Sequence, residues 1–323
     1  MTPTPEELLE RASRGEAPAL ARLISIMADR REGWTATLAG LYRRPVAGRI
    51  LGVTGAPGAG KSTLVDAMIA SFRSAGRRVG VVAVDPSSPF TGGAILGDRV
   101  RMGRHATDPG VFIRSLATRG QLGGLGPATA QAARLLLMAG FDPVIIETVG
   151  VGQAEVDVMG VADLVLMVLV PGGGDHVQCL KAGVMEIGDV FVVNKADRDG
   201  ADRLVGEVEM LLRLGRPDED PGLRLVRTVA LSGAGVHELL ACVERRCSYL
   251  DASGEAAQRR LRQVRGQLRA QLRREIVERF MSYDRERRAT DEAVERIHEG
   301  TGDPVTAARA IVDDFIAWLG GSR

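Results

Sequence analysis

A chain of 323 residues is long enough to bury a large core and to fold as one α/β domain with additional segments. Its formal net charge is +1 at pH 7, so global charge points to neither a nucleic acid nor a membrane partner. Its three cysteines, Cys179, Cys242 and Cys247, form no C-x-x-C pair, which is typical of a protein kept in a reducing cytosol. The first residues are polar and acidic, and no apolar run is long enough to span a bilayer. We therefore expect a cytoplasmic protein.

The N-terminal segment has the pattern of helices. Leu8, Leu9 and Ala12 recur at helical spacing, and the pattern breaks at Gly15 before it resumes. The segment carries no chemical motif that we recognise. We expect a helical extension over residues 1–45.

Residues 55–63 fit G-x-x-x-x-G-K-[ST], the phosphate-binding P-loop. A buried strand is predicted just before them, and apolar residues at helical spacing follow. In such a loop the backbone N–H groups face phosphate oxygens, Lys61 reaches the terminal phosphates and the Ser62 hydroxyl coordinates Mg²⁺. The predicted nucleotide-binding residues here are Gly55, Ala56, Pro57, Gly58, Ala59, Gly60, Lys61, Ser62 and Thr63.

From residue 50 onward, short apolar runs alternate with helical patterns. This alternation predicts an α/β fold of the P-loop NTPase type over residues 46–250, with a mostly parallel sheet covered by helices. Ligands of such sheets bind beyond the carboxyl ends of the strands. After the P-loop, the predicted strands are 79–84, a shorter one at 111–113, 144–146, 164–170, 190–193 and 225–231, with a helix at 128–138.

A guanine-binding motif follows the strand at 190–193. Asn194, Lys195 and Asp197 match N-K-x-D. The Asp197 carboxylate can accept hydrogen bonds from the ring N–H and the exocyclic amine of guanine, whereas adenine presents a different pattern. The stem of Lys195 can lie along the base. Downstream of a P-loop, this motif predicts GTP rather than ATP.

A second guanine loop should follow the last strand, at Val229, Ala230 and Leu231. A backbone N–H there could meet the guanine oxygen. The serine that is usual at the first of these positions is replaced by Val229.

Carboxylates near strand ends are candidate Mg²⁺ ligands, because nucleotide-bound Mg²⁺ takes one or two carboxylates with phosphate oxygens and water. The candidates are Asp85, Asp98 and Glu147. Asp85 could instead be a turn residue before proline, and Asp98 an exposed loop charge. Glu147 precedes a glycine-rich run, residues 148–153, an arrangement that can register loss of the γ-phosphate.

The C-terminal segment, residues 251–323, is predicted to be a helical arm. A long amphipathic helix over 255–288 carries many arginines and a narrow apolar stripe, and a last helix covers 305–319. An isolated helix of this kind is marginal in water, so a second copy of the chain is expected to cover the stripe in a homodimer. The stripe consists of Leu261, Val264, Leu268, Leu272, Ile276 and Phe280.

Taken in order, these motifs resemble those of the methylmalonyl-CoA mutase-associated GTPases of the MeaB/ArgK type, and the likeness covers nearly the whole chain. The resemblance implies a homodimeric, Mg²⁺-dependent GTPase that converts GTP to GDP and phosphate. It also implies a chaperone that gates cofactor delivery to an adenosylcobalamin-dependent acyl-CoA mutase and protects that mutase from inactivation. The runs that carry the resemblance are 55–63, 85–89, 95–98, 101–102, 147–153, 181–187 and 194–197.

The resemblance also implies roles for individual residues. By motif position, Asp85, Asp98 and Glu147 become the Mg²⁺ and switch carboxylates. Lys181 becomes part of a further mobile segment that communicates with the mutase. This chain departs from the family at His176, where a carboxylate is common, and at Val229.

Three other functions fit the sequence less well. A nickel-insertion GTPase usually carries histidine-rich or paired-cysteine metal sites, and this sequence has neither. A small-molecule phosphotransferase conflicts with the guanine motif, and no run of acceptor-binding residues is evident. A nucleic-acid role would suit the excess of arginines over acids in the long helix, but aromatic residues for base stacking are nearly absent there. A dimerising arm with a solvated basic face is the simpler interpretation of that helix.

Overall fold

The computed structural model describes residues 3–85, 103–105, 107–117, 126–148, 157–172, 187–215 and 224–321. The chain separates into two compact units, Met1–Arg262 and Gln263–Arg323. Among the described residues, no helix combines the length and the apolar character that crossing a bilayer requires.

The first unit is built on a seven-stranded sheet in which all the strand pairs of the described residues are parallel, as the sequence predicts. The first strand occupies the middle of the sheet, between the fourth and the fifth, and the chain order reverses there. The loop after the first strand therefore leaves the sheet at its topological switch point, where α/β sheets bind ligands. The strands are β1 (Ile50–Thr54), β2 (Val79–Asp85), β3 (Val111–Ala117), β4 (Val144–Thr148), β5 (Leu164–Leu169), β6 (Val190–Asn194) and β7 (Leu225–Thr228), in the order β3-β2-β4-β1-β5-β6-β7.

Helices cover both faces of this sheet. The predicted N-terminal extension is helical and packs on one face, while the P-loop helix packs on the other. On the first face lie α1 (Pro5–Ser13), α2 (Ala17–Asp29), α3 (Trp34–Arg43), α5 (Pro127–Met138) and α6 (Ala201–Gly215), and on the second lie α4 (Lys61–Ser74) and α7 (Val236–Ala252).

Alternation along the central strands decides which core each side chain joins. In β5, Val165 and Met167 face the first core, whereas Leu164 and Leu166 face the second. All four are at most 2% exposed. Strands buried on both faces have no polar side, which is why they appear in the sequence as continuous apolar runs.

Two strands end three or more residues away from the predicted position. Strand β3 is longer than the predicted 111–113, because it pairs in register with β2 along its whole length and ends at Ala117. The last strand ends at Thr228 rather than at Leu231, since the following residues form a turn closed by a bridge between Val229 and Ala234.

The predicted long C-terminal helix is followed by a helix that the sequence patterns did not indicate. The long helix, α8 (Glu255–Arg287), ends where Arg288 adopts the left-handed conformation with a φ of 53°. Helix α9 (Ala289–His298) starts directly after it, and α10 (Pro304–Gly321) corresponds to the predicted last helix.

The second unit has an aromatic cluster as its core. Tyr283 is fully buried, and its ring lies 5.4 Å from Phe315 and 5.8 Å from Trp318. Its hydroxyl donates to Asp314 Oδ2 over 2.6 Å. This hydrogen bond to a carboxylate, together with burial, raises the pKa of Tyr283 to about 12.

The apolar stripe on α8 is exposed along most of its predicted length. The side chains of Leu261, Val264, Leu268, Leu272 and Ile276 are between 53% and 62% exposed. Phe280 differs, because its ring lies 5.5 Å from that of Phe315, edge to face, within the aromatic cluster. The stripe therefore ends one turn earlier than expected.

Tyr283→Phe should lower the free energy of unfolding by about 1.5–3 kcal/mol near neutral pH, because a hydrogen bond to a charged group is lost. Urea unfolding, followed by near-ultraviolet circular dichroism, measures this difference. The folded state raises the tyrosine pKa from 10.0 to about 12, so this stabilisation is complete below pH 10 and is lost as the pH rises through 12. Tyr249→Phe, at a 44% exposed tyrosine, is the matched control. A difference between Tyr283→Phe and the unmodified protein that stayed constant across this pH range would contradict the assignment.

Candidate nucleotide site

The loop after β1 requires glycine at two positions. Gly55 has a φ of 139°, and a Cβ atom there would lie 2.2 Å from the carbonyl oxygen of Val168. Gly60 has a φ of 84°, and a Cβ atom there would lie 2.6 Å from Asn194 Nδ2. Both conformations strain any other residue, and both contacts are too close for a side chain. The P-loop thus packs directly against β5 and against the residue that ends β6.

Helix α4 begins at Lys61 with Gly60 as its N-cap, and no side chain in the described part of the chain caps its first turn. Its first N–H groups point to the region beyond the carboxyl edge of the sheet, an arrangement that suits an anion. The Lys61 ammonium group lies in the same loop, where it donates to the carbonyl oxygens of Gly55 over 2.7 Å and Ala56 over 3.0 Å. The loop therefore combines a fixed cation with a helix N-terminus, as phosphate binding requires.

Ser62 and Glu147 meet at the edge of the sheet. The Ser62 hydroxyl donates to Glu147 Oε1 over 2.6 Å, and Glu147 is only 4% exposed. Register explains the meeting: Glu147 on β4 lies opposite Val53 on β1, so it reaches the edge beside the P-loop. A hydroxyl and a carboxylate are oxygen ligands of the kind that Mg²⁺ takes, so the pair suits this cation chemically.

Of the other two predicted carboxylate residues, only Asp85 lies within the described part of the chain. Asp85 is the last residue of β2, and its backbone reaches the same edge of the sheet. Asp98 lies outside the described residues, and so do Lys181 and His176.

Asn194 joins three segments of the site. It is 1% exposed, and its Nδ2 amide donates to the Ala59 carbonyl oxygen of the P-loop over 2.9 Å. Its Oδ1 accepts from the Thr228 hydroxyl and from the Ala230 N–H, both over 3.1 Å. One buried side chain thus ties the P-loop, the end of β6 and the loop after β7 together.

Lys195 extends this connection to the surface. Its backbone is left-handed with a φ of 56°, and its Nζ donates to the Gly58 carbonyl oxygen over 2.7 Å. The aliphatic stem therefore runs from the end of β6 to the P-loop. Asp197 is exposed in the turn that follows, close in sequence to this bridge.

The loop after β7 is a tight turn. The N–H of Val229 donates to the Ala234 carbonyl oxygen over 2.9 Å, while the N–H of Ala230 is used by Asn194. Leu231, at the tip, is 91% exposed.

Among the described residues, the structure brings together the P-loop, Ser62, Glu147, Asn194 and Lys195. The sequence patterns did not mark Thr228 as a site residue. A polar residue at the end of a short strand, where ligands bind in such sheets, is the signal that could have identified it. The patterns also did not mark Thr148, whose hydroxyl donates to Thr54 Oγ1 over 2.9 Å and joins the carboxyl ends of β4 and β1.

Comparison with known proteins agrees with this geometry. The family model described as methylmalonyl Co-A mutase-associated GTPase MeaB matches residues 20–285. A putative GTPase of Pyrococcus abyssi is 43% identical over 316 residues, which cover 96% of this chain and 97% of that protein. The mouse mitochondrial methylmalonic aciduria type A homolog is 34% identical over 84% of this chain and 66% of that protein.

A solved structure shares the fold over almost the full length. The crystal structure of a LAO/AO transport system kinase matches with a TM-score of 0.68 and 27% identity, and the match covers 96% of this chain and 97% of that one. The site geometry and the family match lead to the same conclusion: this chain belongs to the MeaB family of methylmalonyl-CoA mutase-associated GTPases, and it is a guanine-nucleotide-binding GTPase.

Proposed function

We propose that this chain is a Mg²⁺-dependent GTPase that acts in the cytoplasm as a chaperone of an adenosylcobalamin-dependent acyl-CoA mutase, gating cofactor loading and protecting that mutase from inactivation. The assignment of nucleotide binding is supported above all by the hydrogen bonds of Asn194, because they connect the P-loop rigidly to the N-K-x-D motif. The mutase part rests on the family, whose description names methylmalonyl-CoA mutase.

Phosphate binding is assigned to residues 55–63. The Lys61 ammonium group, which contacts the Gly55 and Ala56 carbonyl oxygens, is close enough to the first turn of α4 to serve the same anion. An ammonium group held on a fixed loop stabilises the charge that develops on transferring phosphoryl oxygens.

Base recognition is assigned to the two loops that Asn194 holds together. The exposed Asp197 carboxylate would accept from the guanine ring N–H and amine, and the Lys195 stem would lie along the base. Because the N–H groups of Val229 and Ala230 already donate within the protein, we assign the guanine oxygen to the N–H of Leu231.

The switch is assigned to the pair of Ser62 and Glu147, with Asp85 and Asp98 as further carboxylates at the Mg²⁺ site. Mg²⁺, when bound, neutralises charge on the phosphate oxygens. Glu147 is joined to the P-loop helix by its hydrogen bond with Ser62, and a glycine-rich run follows it in sequence. A change at that hydrogen bond would therefore be transmitted directly to this run. Lys181 would belong to a further segment that communicates with the mutase.

Dimerisation is assigned to the C-terminal arm, residues 251–323. The five exposed apolar side chains from Leu261 to Ile276 form one row along α8. Exposed apolar rows of this length mark interaction sites, and a second copy would cover the same row by two-fold symmetry.

Asp197→Asn should weaken GTP binding by about ten- to a hundredfold, because a charge-assisted interaction worth roughly 1.5–3 kcal/mol is lost. The same variant should gain affinity for xanthosine triphosphate, since an amide donates where xanthine offers a carbonyl in place of the guanine amine. Titration with fluorescent nucleotides measures both. Asp199→Asn, two residues further along the same turn, is the control. Equal affinity of the unmodified protein for ATP and GTP would refute the assignment.

GTP hydrolysis should be slow for the isolated protein and should accelerate at least tenfold with a methylmalonyl-CoA mutase, because stabilising groups supplied by a partner raise such rates by about 10³–10⁵. Phosphate release is measured with and without the adenosylcobalamin-loaded mutase, and mutase activity is followed over repeated turnover. The Asp197→Asn variant supplies an internal control, because it should respond to the mutase with xanthosine triphosphate but not with GTP. If the mutase does not accelerate GTP hydrolysis, and if its own activity over repeated turnover is not prolonged by this protein, the chaperone role is excluded.

The combined change Leu268→Glu and Leu272→Glu should convert a dimer to a monomer that still binds GTP, because two charges then lie within the apolar row. Sedimentation equilibrium at micromolar concentration measures the change in mass. Ala270→Glu, on the opposite face of the same helix, is the matched control and should remain dimeric. An unmodified protein that sediments as a monomer would rule out the dimer.

A further inference from the structure

Three hydrogen bonds join the P-loop, the start of α4 and the end of β4 into a closed ring. The Gly55 carbonyl oxygen accepts from Lys61 Nζ over 2.7 Å, and Glu147 Oε1 accepts from the Ser62 hydroxyl over 2.6 Å. A hydrogen bond between two threonines closes the ring. The ring consists of three pairs of consecutive residues, which are Thr54 and Gly55, Lys61 and Ser62, and Glu147 and Thr148.

The threonine pair differs from the other two bonds in what its groups can contact. The Thr148 hydroxyl donates to Thr54 Oγ1 over 2.9 Å, and both residues are 0% exposed. The ammonium group of Lys61 and the hydroxyl of Ser62, in contrast, are the groups that phosphate and Mg²⁺ engage in a P-loop. The threonine bond is therefore a part of the ring that a bound nucleotide does not replace.

The threonine pair also lies where the backbone pairing of its two strands stops. The register between β1 and β4 ends at Val53 and Glu147. Thr54 and Thr148 are the next residues, and each of them is paired with a different strand on its other side. Their hydroxyls thus continue the contact between β1 and β4 by one residue, directly beside the P-loop.

We propose that Thr54 and Thr148 are positioning residues for GTP hydrolysis. Their hydrogen bond fixes the P-loop side of the ring, which holds the ammonium group of Lys61, relative to the strand that carries Glu147. The inference rests on the roles of Lys61, Ser62 and Glu147 in the proposed function.

The expected effect of losing this bond follows from its length. The two hydroxyl oxygens lie 2.9 Å apart, whereas a carbon and an oxygen approach only to about 3.3 Å. Thr148→Val therefore removes the bond and also pushes the two strand ends apart by about 0.4 Å. A catalytic group misplaced by about 1 Å can cost on the order of a hundredfold in rate, so this smaller shift should cost about tenfold.

The ion pairs that hold α4 to the chain before β3 lie outside the ring. Asp66 Oδ1 accepts from Arg104 Nε over 2.8 Å. Three turns after the ring, Arg73 donates to both oxygens of Asp108, over 2.8 Å and 3.0 Å. Arg73→Gln therefore weakens the packing of the same helix without touching the ring, and it serves as the control for general stability.

Thr54→Val and Thr148→Val should each lower kcat for GTP hydrolysis about tenfold. Affinity for GDP should stay within about twofold, because the contacts of Asn194 and the backbone of the P-loop are unchanged. The Mg²⁺ concentration that gives half the maximal rate should rise. Phosphate release over a series of Mg²⁺ concentrations and titration with GDP measure these effects.

Two further variants test whether the hydrogen bond itself is responsible. Thr148→Ser keeps the hydroxyl and should restore most of the rate. The double variant, Thr54→Val with Thr148→Val, should be about as slow as either single variant, because both changes break the same bond. Losses of rate that multiply in the double variant would overturn the inference. Arg73→Gln should lower Tm and leave kcat unchanged.

Ser62→Ala separates the failure of this inference from the failure of the proposed function. If Ser62→Ala abolishes Mg²⁺-dependent hydrolysis while both threonine variants turn over normally, the positioning role is wrong and the role of Ser62 stands. If Ser62→Ala hydrolyses GTP normally, the proposed role of Ser62 fails and the inference falls with it. An equal loss of kcat in Arg73→Gln would also overturn the inference. If Thr148→Val does not fold, Thr54→Val decides, because it leaves the Thr148 hydroxyl a second acceptor, the Val53 carbonyl oxygen at 3.5 Å.

Discussion

The site depends on one buried amide. Asn194 donates to the P-loop carbonyl of Ala59 and accepts from Thr228 and Ala230, so both ends of its side chain are hydrogen-bonded. An asparagine side chain carries a donor and an acceptor on one short stem, which aspartate and leucine do not. A buried polar group that loses a partner costs about 1–3 kcal/mol, so all three segments are held at fixed distances. The P-loop, the N-K-x-D motif and the loop after β7 thereby become parts of one rigid unit.

The opposite end of the same strands is held by charges. Asp189, which precedes β6, accepts from both terminal nitrogens of Arg259 over 2.6 Å and 2.7 Å and from the Val165 N–H over 2.9 Å. The hydrogen bond with Asp189 raises the pKa of Arg259. A buried ion pair adds little net stability but is costly to break, so it specifies geometry more than it stabilises the fold. Arg259 lies in the second turn of α8, and the arm therefore starts at a defined point on the amino edge of the sheet.

Charge and polarity are distributed unevenly along α8 itself. Its first part carries arginines and the exposed apolar row, whereas its last part contributes Phe280 and Tyr283 to the aromatic cluster of the second unit. A single helix thus begins in one compact unit and ends in the other. The apolar residues of its first part have no packing role within the described structure comparable to that of Tyr283, which is why we assign them to an interface.

The sequence by itself determined the P-loop, the guanine motif, the family and the parallel α/β fold, because each depends on residues that are adjacent or regularly spaced along the chain. Glycines at 55 and 60 and the continuous apolar strands are signals of this local kind. The tertiary structure decided what depends on residues distant in sequence: that Asn194 reaches Ala59, that Asp66 holds Arg104, and that Phe280 belongs to a core rather than to the exposed row. Hydrogen bonds and ring contacts between such residues arise only when the sheet register and the helix packing bring them together, and no local pattern encodes that proximity.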